Sequence, residues 1–223
     1  MNKRFLALAA AVVMTFSAAG CSSDSSGSNS SSAAGASGKT DMFVSNKLFE
    51  QDYEGVNDID EGPVLSIGKT KAKAGGIAEV KLYVDNAKNK WSMCALHITY
   101  PDVLECIKDE NDEAKFSTGE ALEKSIAAVT QVWDSNLPDD LQENKRFAAY
   151  ITTIFDGNIG GDGEICTFYF KVPENAESGT VYDIDYYYSS NQYTKDVFSN
   201  DQEDAEMEKY AFSHCKSGSI TVE

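Results

Sequence analysis

From Pro63 to Glu223 the chain is a succession of short apolar or alternating runs, each closed by a turn signal, and few folds accept that pattern. The runs cover residues 64–67, 78–85, 93–100, 103–108, 128–134, 146–155, 164–172, 180–188 and 218–222. Between them, Ala74-Gly75-Gly76, Asp85-Asn86, Gly160-Gly161-Asp162-Gly163 and Ser178-Gly179 supply residues that accept a positive φ. A sandwich of sheets buries such strands on one face and leaves the other to solvent, so the expectation is an all-β chain built as a β-sandwich.

Two stretches depart from the strand pattern. Ser117-Thr118-Gly119-Glu120 reads as a capping box ahead of a short inserted helix over 121–127, with Leu122 and Ile126 four apart. Residues 189–210 read as irregular, and their acidic run Asp201-Gln202-Glu203-Asp204-Ala205-Glu206 as a solvated loop or helix face.

The N-terminus is organised differently. Lys3 and Arg4 precede an apolar, Ala-rich stretch over 5–19, too short to span a bilayer core that needs roughly 20 residues. Its proportions are those of a signal peptide over residues 1–20. Ala18-Ala19-Gly20-Cys21 resembles a bacterial lipobox, which implies lipidation of Cys21 and a mature chain that starts there. Residues 21–40 are then a Ser/Gly/Ala tether with a reach of roughly 25 Å. Residues 41–62 form an acidic lead-in with Phe43, Phe49 and Tyr53, and 63–223 the folded domain. The chain is thereby expected to be extracytoplasmic, held to the cell membrane by lipid and exposed at the surface.

Charge and motifs narrow the function. The formal charge of −17 becomes −19 once Lys3 and Arg4 leave with the signal, which opposes binding to nucleic acid or to any anionic surface. Cys94, Cys106, Cys166 and Cys215 match no zinc or redox spacing, and the first three sit at strand positions that suit buried thiols, with an extracytoplasmic disulfide as the alternative. With only His97 and His214, a histidine-based catalytic centre has little to draw on. There is no Gly-x-Ser-x-Gly elbow and no phosphate-binding G-x-x-x-x-G-K-[ST] loop, and nothing singles out an opposed carboxylate pair. The oxygen-rich stretch Asp156 to Asp162 lacks the order of a calcium loop and reads as a strand connection. The expectation is a binding protein with no catalytic residue, no metal and no cofactor of its own.

Four stretches, taken in order, resemble a cohesin module. Ala72-Lys73-Ala74-Gly75-Gly76-Ile77-Ala78-Glu79-Val80 is similar to the family's opening turn and second strand. Met93-Cys94-Ala95-Leu96-His97-Ile98-Thr99-Tyr100 with Val103-Leu104-Glu105 is similar to its third strand and the signature after it. The stretch from Gly161-Asp162-Gly163 to Val172 resembles its seventh strand, and Gly218-Ser219-Ile220-Thr221-Val222 its closing strand.

The resemblance implies a nine-stranded jelly-roll sandwich, a monomeric domain that binds a dockerin on the sheet of strands eight, three, six and five. Any calcium would sit on the dockerin partner. Alternation then assigns outward side chains. These are Met93, Ala95, His97 and Thr99 on the third strand, and Asp183, Asp185 and Tyr187 on the eighth. The sixth strand offers two mixed rows, and the one with Ala149 and Ile151 is assigned outward over Ala148, Tyr150 and Thr152. Gln131 and Trp133 complete the set on the fifth. A competing function is carbohydrate binding, motivated by Tyr186-Tyr187-Tyr188, Tyr193, Trp91 and Trp133.

Overall fold

The structure, a computed structural model, describes residues 43–45, 62–132, 146–189, 196–202 and 205–223. The expected signal over 1–20, Cys21, the expected tether over 21–40, most of 41–62 and Trp133 lie outside the described residues.

Each of the nine expected runs is met by a strand: β2 (Val64–Ile67), β4 (Ile77–Asp85), β5 (Met93–Pro101), β6 (Glu105–Cys106), β8 (Ile126–Val132), β9 (Arg146–Ile154), β10 (Gly163–Lys171), β11 (Val181–Ser189) and β13 (Gly218–Val222). Short strands are added at β1 (Phe43–Ser45), β3 (Lys69–Ala72), β7 (Phe116–Thr118) and β12 (Val197–Ser199). One sheet runs β3-β13-β11-β5-β9-β8, with β1 beside β11 and β12 beside β5. The other runs β2-β4-β10-β6, with β7 beside β10. The neighbours are antiparallel except β13 and β3, which run parallel.

Period-two patterning decides which face each strand buries. On β4, Ala78, Val80, Leu82 and Val84 are buried while Glu79 is exposed and Lys81 and Tyr83 are half-buried. On β10 a register shift between Glu164 and Cys166 lets the adjacent Ile165 and Cys166 both be buried. That is what one extra residue in a bulged strand does. The turns take positive φ at Gly75, Asn86, Gly163 and Gly179.

One end of the sandwich is closed around Trp91. Its ring stacks on Phe198 at 5.2 Å and meets Phe155 edge-on at 4.9 Å. Its indole N–H donates to the Gly161 carbonyl at 3.0 Å. The Asp156–Asp162 stretch is part of this closure, because the Asp162 carboxylate accepts the Ala87 N–H at 2.7 Å. It is a strand connection, as expected.

Three expectations on the fold are corrected. The helix over 121–127 is absent: a single 3₁₀ turn, Glu120–Leu122, gives way to β8 at Ile126. No side chain caps that turn, and the Gly119 N–H is already committed to the Ile165 carbonyl at 2.9 Å. The segment is therefore tied to β10, and the β-branched Ile126 begins pairing with β9. Residues 189–210 are not irregular throughout, since they contain β12 and most of α1 (Ala205–Ser213). Met207, Ala211 and Phe212 turn one face of α1 into the core, while Glu206 stays exposed. Finally, Trp91 is wholly buried and offers nothing to a sugar.

Candidate partner-binding face

The sheet expected to meet a partner is built around β5, which pairs with β9 along its whole length. On its other edge β5 pairs with β11 at 97–99 and with β12 at 93–95. Directly opposed residues in antiparallel strands share a face, so this register fixes every row.

The inner row is Cys94, Leu96, Ile98 and Tyr100, all fully buried. On β11, Ile184 and Tyr186 belong to the same core and Tyr182 packs against it. Met93, Ala95, His97 and Thr99 take the outer row, as alternation requires. Opposite them on β11, Asp185 pairs with Thr99 and Tyr187 with His97. Asp183 is exposed and Asp185 half-buried.

On β9 the assignment of Ala149 and Ile151 is corrected. They pair with Ile98 and Leu96 and are buried in the core, at 0% and 1% exposure. The β9 positions in register with the outer row of β5 are Ala148, Tyr150 and Thr152, opposed to Thr99, His97 and Ala95. Gln131 moves with them: it pairs with Ala149, so its register position belongs to the row that also holds Ile151 and Thr153. The sequence left both β9 rows mixed, and only pairing to β5 separates them.

The outer row is not uniformly open. Ala95, His97 and Thr99 are buried despite their outward parity. This corrects the picture of a flat sheet whose central strand is presented to solvent. His97 meets Asp196, the residue leading into β12, and both side chains are fully buried. His97 Nδ1 lies 2.9 Å from Asp196 Oδ1, so the ring donates its Nδ1–H to the carboxylate. Sequence reasoning missed Asp196, which sits in a stretch read as irregular and reaches His97 only through the entry of β12 into the sheet.

Among the described residues, openness survives on β11 at Val181 and Asp183 and, as a wider apolar row, at the Met93 end of β5. Ile154 pairs with Met93 on β5 and with Ile126 on β8, placing the three in one outer row. Ile126 is 82% and Ile154 56% exposed, and Met93 is half-buried. Neither isoleucine was among the expected site residues. Ile126 had been given to a helix, and Ile154 to the end of a run whose outward row was misassigned.

Among the described residues, no group of three or more His, Cys, Asp or Glu side chains is placed to hold a metal ion. The ion pair of Lys81 on Glu164, at 2.8 Å, belongs to the opposite sheet. What the β5 sheet offers is an apolar row at its Met93 end and the carboxylates of Asp183 and Asp185 toward its Thr99 end, a mixture found in protein contacts.

The cohesin domain model matches residues 63–203. Among solved structures, the chain is similar to a type III cohesin module from the cellulosomal ScaE cell-surface anchoring scaffoldin of Ruminococcus flavefaciens. The identity is 25%, over 77% of this chain and 96% of that one, with a TM-score of 0.60. It is also similar to the third ScaC cohesin of Acetivibrio cellulolyticus, solved with the ScaB dockerin, at 18% identity over 72% and 98% of the two chains and a TM-score of 0.46. A non-cellulosomal cohesin from Archaeoglobus fulgidus matches at 16% identity, over 73% and 91%, with a TM-score of 0.43. No curated protein matches the chain. The family match spans more than half of the sequence and covers the sandwich from β2 to β12, so the chain belongs to the cohesin domain family, whose members are non-catalytic protein-binding modules.

Proposed function

We propose that this chain is a membrane-anchored cohesin that receives a dockerin-bearing protein and holds it at the cell surface as part of a cellulosome-type complex. The match of residues 63–203 to the cohesin domain carries this reading. The likeness to a cohesin from a cell-surface anchoring scaffoldin supports the surface location. The signal over residues 1–20, Cys21 and the tether over 21–40 supply the means of attachment, a lipid whose methylenes each contribute about 0.8 kcal/mol when buried. The domain brings binding without chemistry, and the calcium that the contact needs belongs to the dockerin.

The test is a pull-down of secreted proteins from the source cell with the mature chain, with and without a calcium chelator. Recovery of a dockerin-bearing protein at sub-micromolar affinity, lost on chelation, is the expected result. Failure of every dockerin encoded in that cell to bind would refute it. Lipidation is read separately, as a mass increase on Cys21 in the membrane fraction, and an unmodified Cys21 there would remove the anchor. The carbohydrate reading loses ground with Trp91 and Tyr186, which are both buried.

A further inference from the structure

We infer that the partner does not centre on the middle of β5 but docks at the open end of the sheet, on the row of Ile126, Ile154 and Met93. This rests on the proposed cohesin function and deepens it. At mid-strand, Ala95, His97 and Thr99 are already buried, and the His97–Asp196 pair holds that region shut with both side chains at 0% exposure. A partner placed there would have to break a buried hydrogen-bonded pair before making its first contact.

The end of the sheet imposes no such cost. Ile126 and Ile154 face each other across β8 and β9, and Met93 extends the row on β5. Two adjacent isoleucines at 82% and 56% exposure offer apolar area that only a partner can remove from water. The loops at this end carry both signs of charge: Lys88 and Lys90 lie exposed ahead of β5, and Lys124 ahead of β8. Asp156 follows two residues after Ile154, and Asp201 is fixed to Asn158 by hydrogen bonds of 2.6 and 2.8 Å, with both carboxylates at the exposed surface. This calls for a dockerin surface with apolar side chains at its centre and both signs of charge at its margin, Lys or Arg toward Asp156 and Asp201 and Asp or Glu toward Lys88, Lys90 and Lys124. The three side chains are supplied by the starts of β5 and β8 and the end of β9, so the footprint is carried by paired backbone rather than by a loop.

The experiment compares the mature chain with I126D, I154D and I77D variants in titrations against the dockerin recovered by the wild type. Ile77 is a matched control: an isoleucine 61% exposed, on β4 of the opposite sheet. I126D and I154D are expected to weaken binding at least about 30-fold, the loss of a hot-spot residue, with unchanged melting temperature. I77D is expected to stay within about twofold, as a residue outside the contact does. Wild-type affinity in both I126D and I154D, or an equal loss in I77D, overturns the docking position while leaving the cohesin function intact. A wild-type chain that binds no dockerin refutes the function itself, and the docking position with it.

Discussion

Replacing Asp196 by alanine removes the carboxylate that His97 meets at 2.9 Å, in a place where neither side chain touches water. The cost has two parts. A hydrogen bond to an ionised group contributes about 1.5–3 kcal/mol net, and a buried polar group that loses its partner adds a desolvation penalty of about 1–3 kcal/mol. Their combined lower range, roughly 3 kcal/mol, matches the loss seen when one member of a buried pair is deleted. D196N keeps the size and an oxygen acceptor and forfeits the charge, so its expected cost is about 1 kcal/mol.

Urea unfolding followed by tryptophan fluorescence reads both variants. With a slope of about 2 kcal/mol/M, D196A should lower the midpoint by about 1.5 M with no change in slope. In a double-mutant cycle with H97A, the coupling should exceed about 1.5 kcal/mol, because the two residues act through one hydrogen bond. A D196A loss below about 1 kcal/mol, or a coupling indistinguishable from zero, would show that the pair does not hold β12 against β5 and that the burial of His97 has another origin.

Two further outcomes follow from the core. G160A should destabilise by about 1–3 kcal/mol in calorimetry, because a Cβ at Gly160 would fall inside the Trp91 indole; an unchanged melting temperature would mean that the Trp91 closure yields freely. Burial pushes the Cys106 thiol from its ordinary 9.0 up to about 11, and moves Cys94 and Cys166 in the same direction. The protonated thiols favour the native state, and for Cys106 that stabilisation is complete below about pH 9 and lost as pH rises through about 11. At pH 8 in native protein, alkylation should therefore label the half-buried Cys215 ahead of Cys94, Cys106 and Cys166, and equal rates by mass spectrometry would contradict their burial.

The sandwich was legible because burial on one face imposes period two wherever a strand is long. β4 and β13 were readable to within a residue, and so were the inner rows of β5 and β11. The rows of β9 were not. Arg146-Phe147-Ala148-Ala149-Tyr150-Ile151-Thr152-Thr153-Ile154 carries apolar and polar residues at both parities, so its face is decided by the partner strand rather than by its own composition. The inserted segment failed for a different reason. Capping chemistry predicts what a free segment prefers, whereas Gly119 was bound to Ile165, and a tertiary contact outweighs a local preference. In α1, Met207 and Ala211 four apart were the available signal, masked by the acidic residues that coat the opposite side.

The division between the two faces of the β5 sheet explains why the site resisted reading more than the fold did. Cys94, Leu96, Ile98 and Tyr100 must be apolar because the opposite sheet covers them, whatever the protein binds. Nothing in the sandwich imposes a type on Met93, Ala95, His97 and Thr99, so their identity reflects what lies above each one. Above His97 that neighbour is the chain's own Asp196, and a substitution there should move stability first. Over Ile126 and Ile154 it is solvent, and a substitution there should move binding alone. Partner choice can then change at the open end without cost to the fold, while the buried pair keeps the sheet that carries it in register.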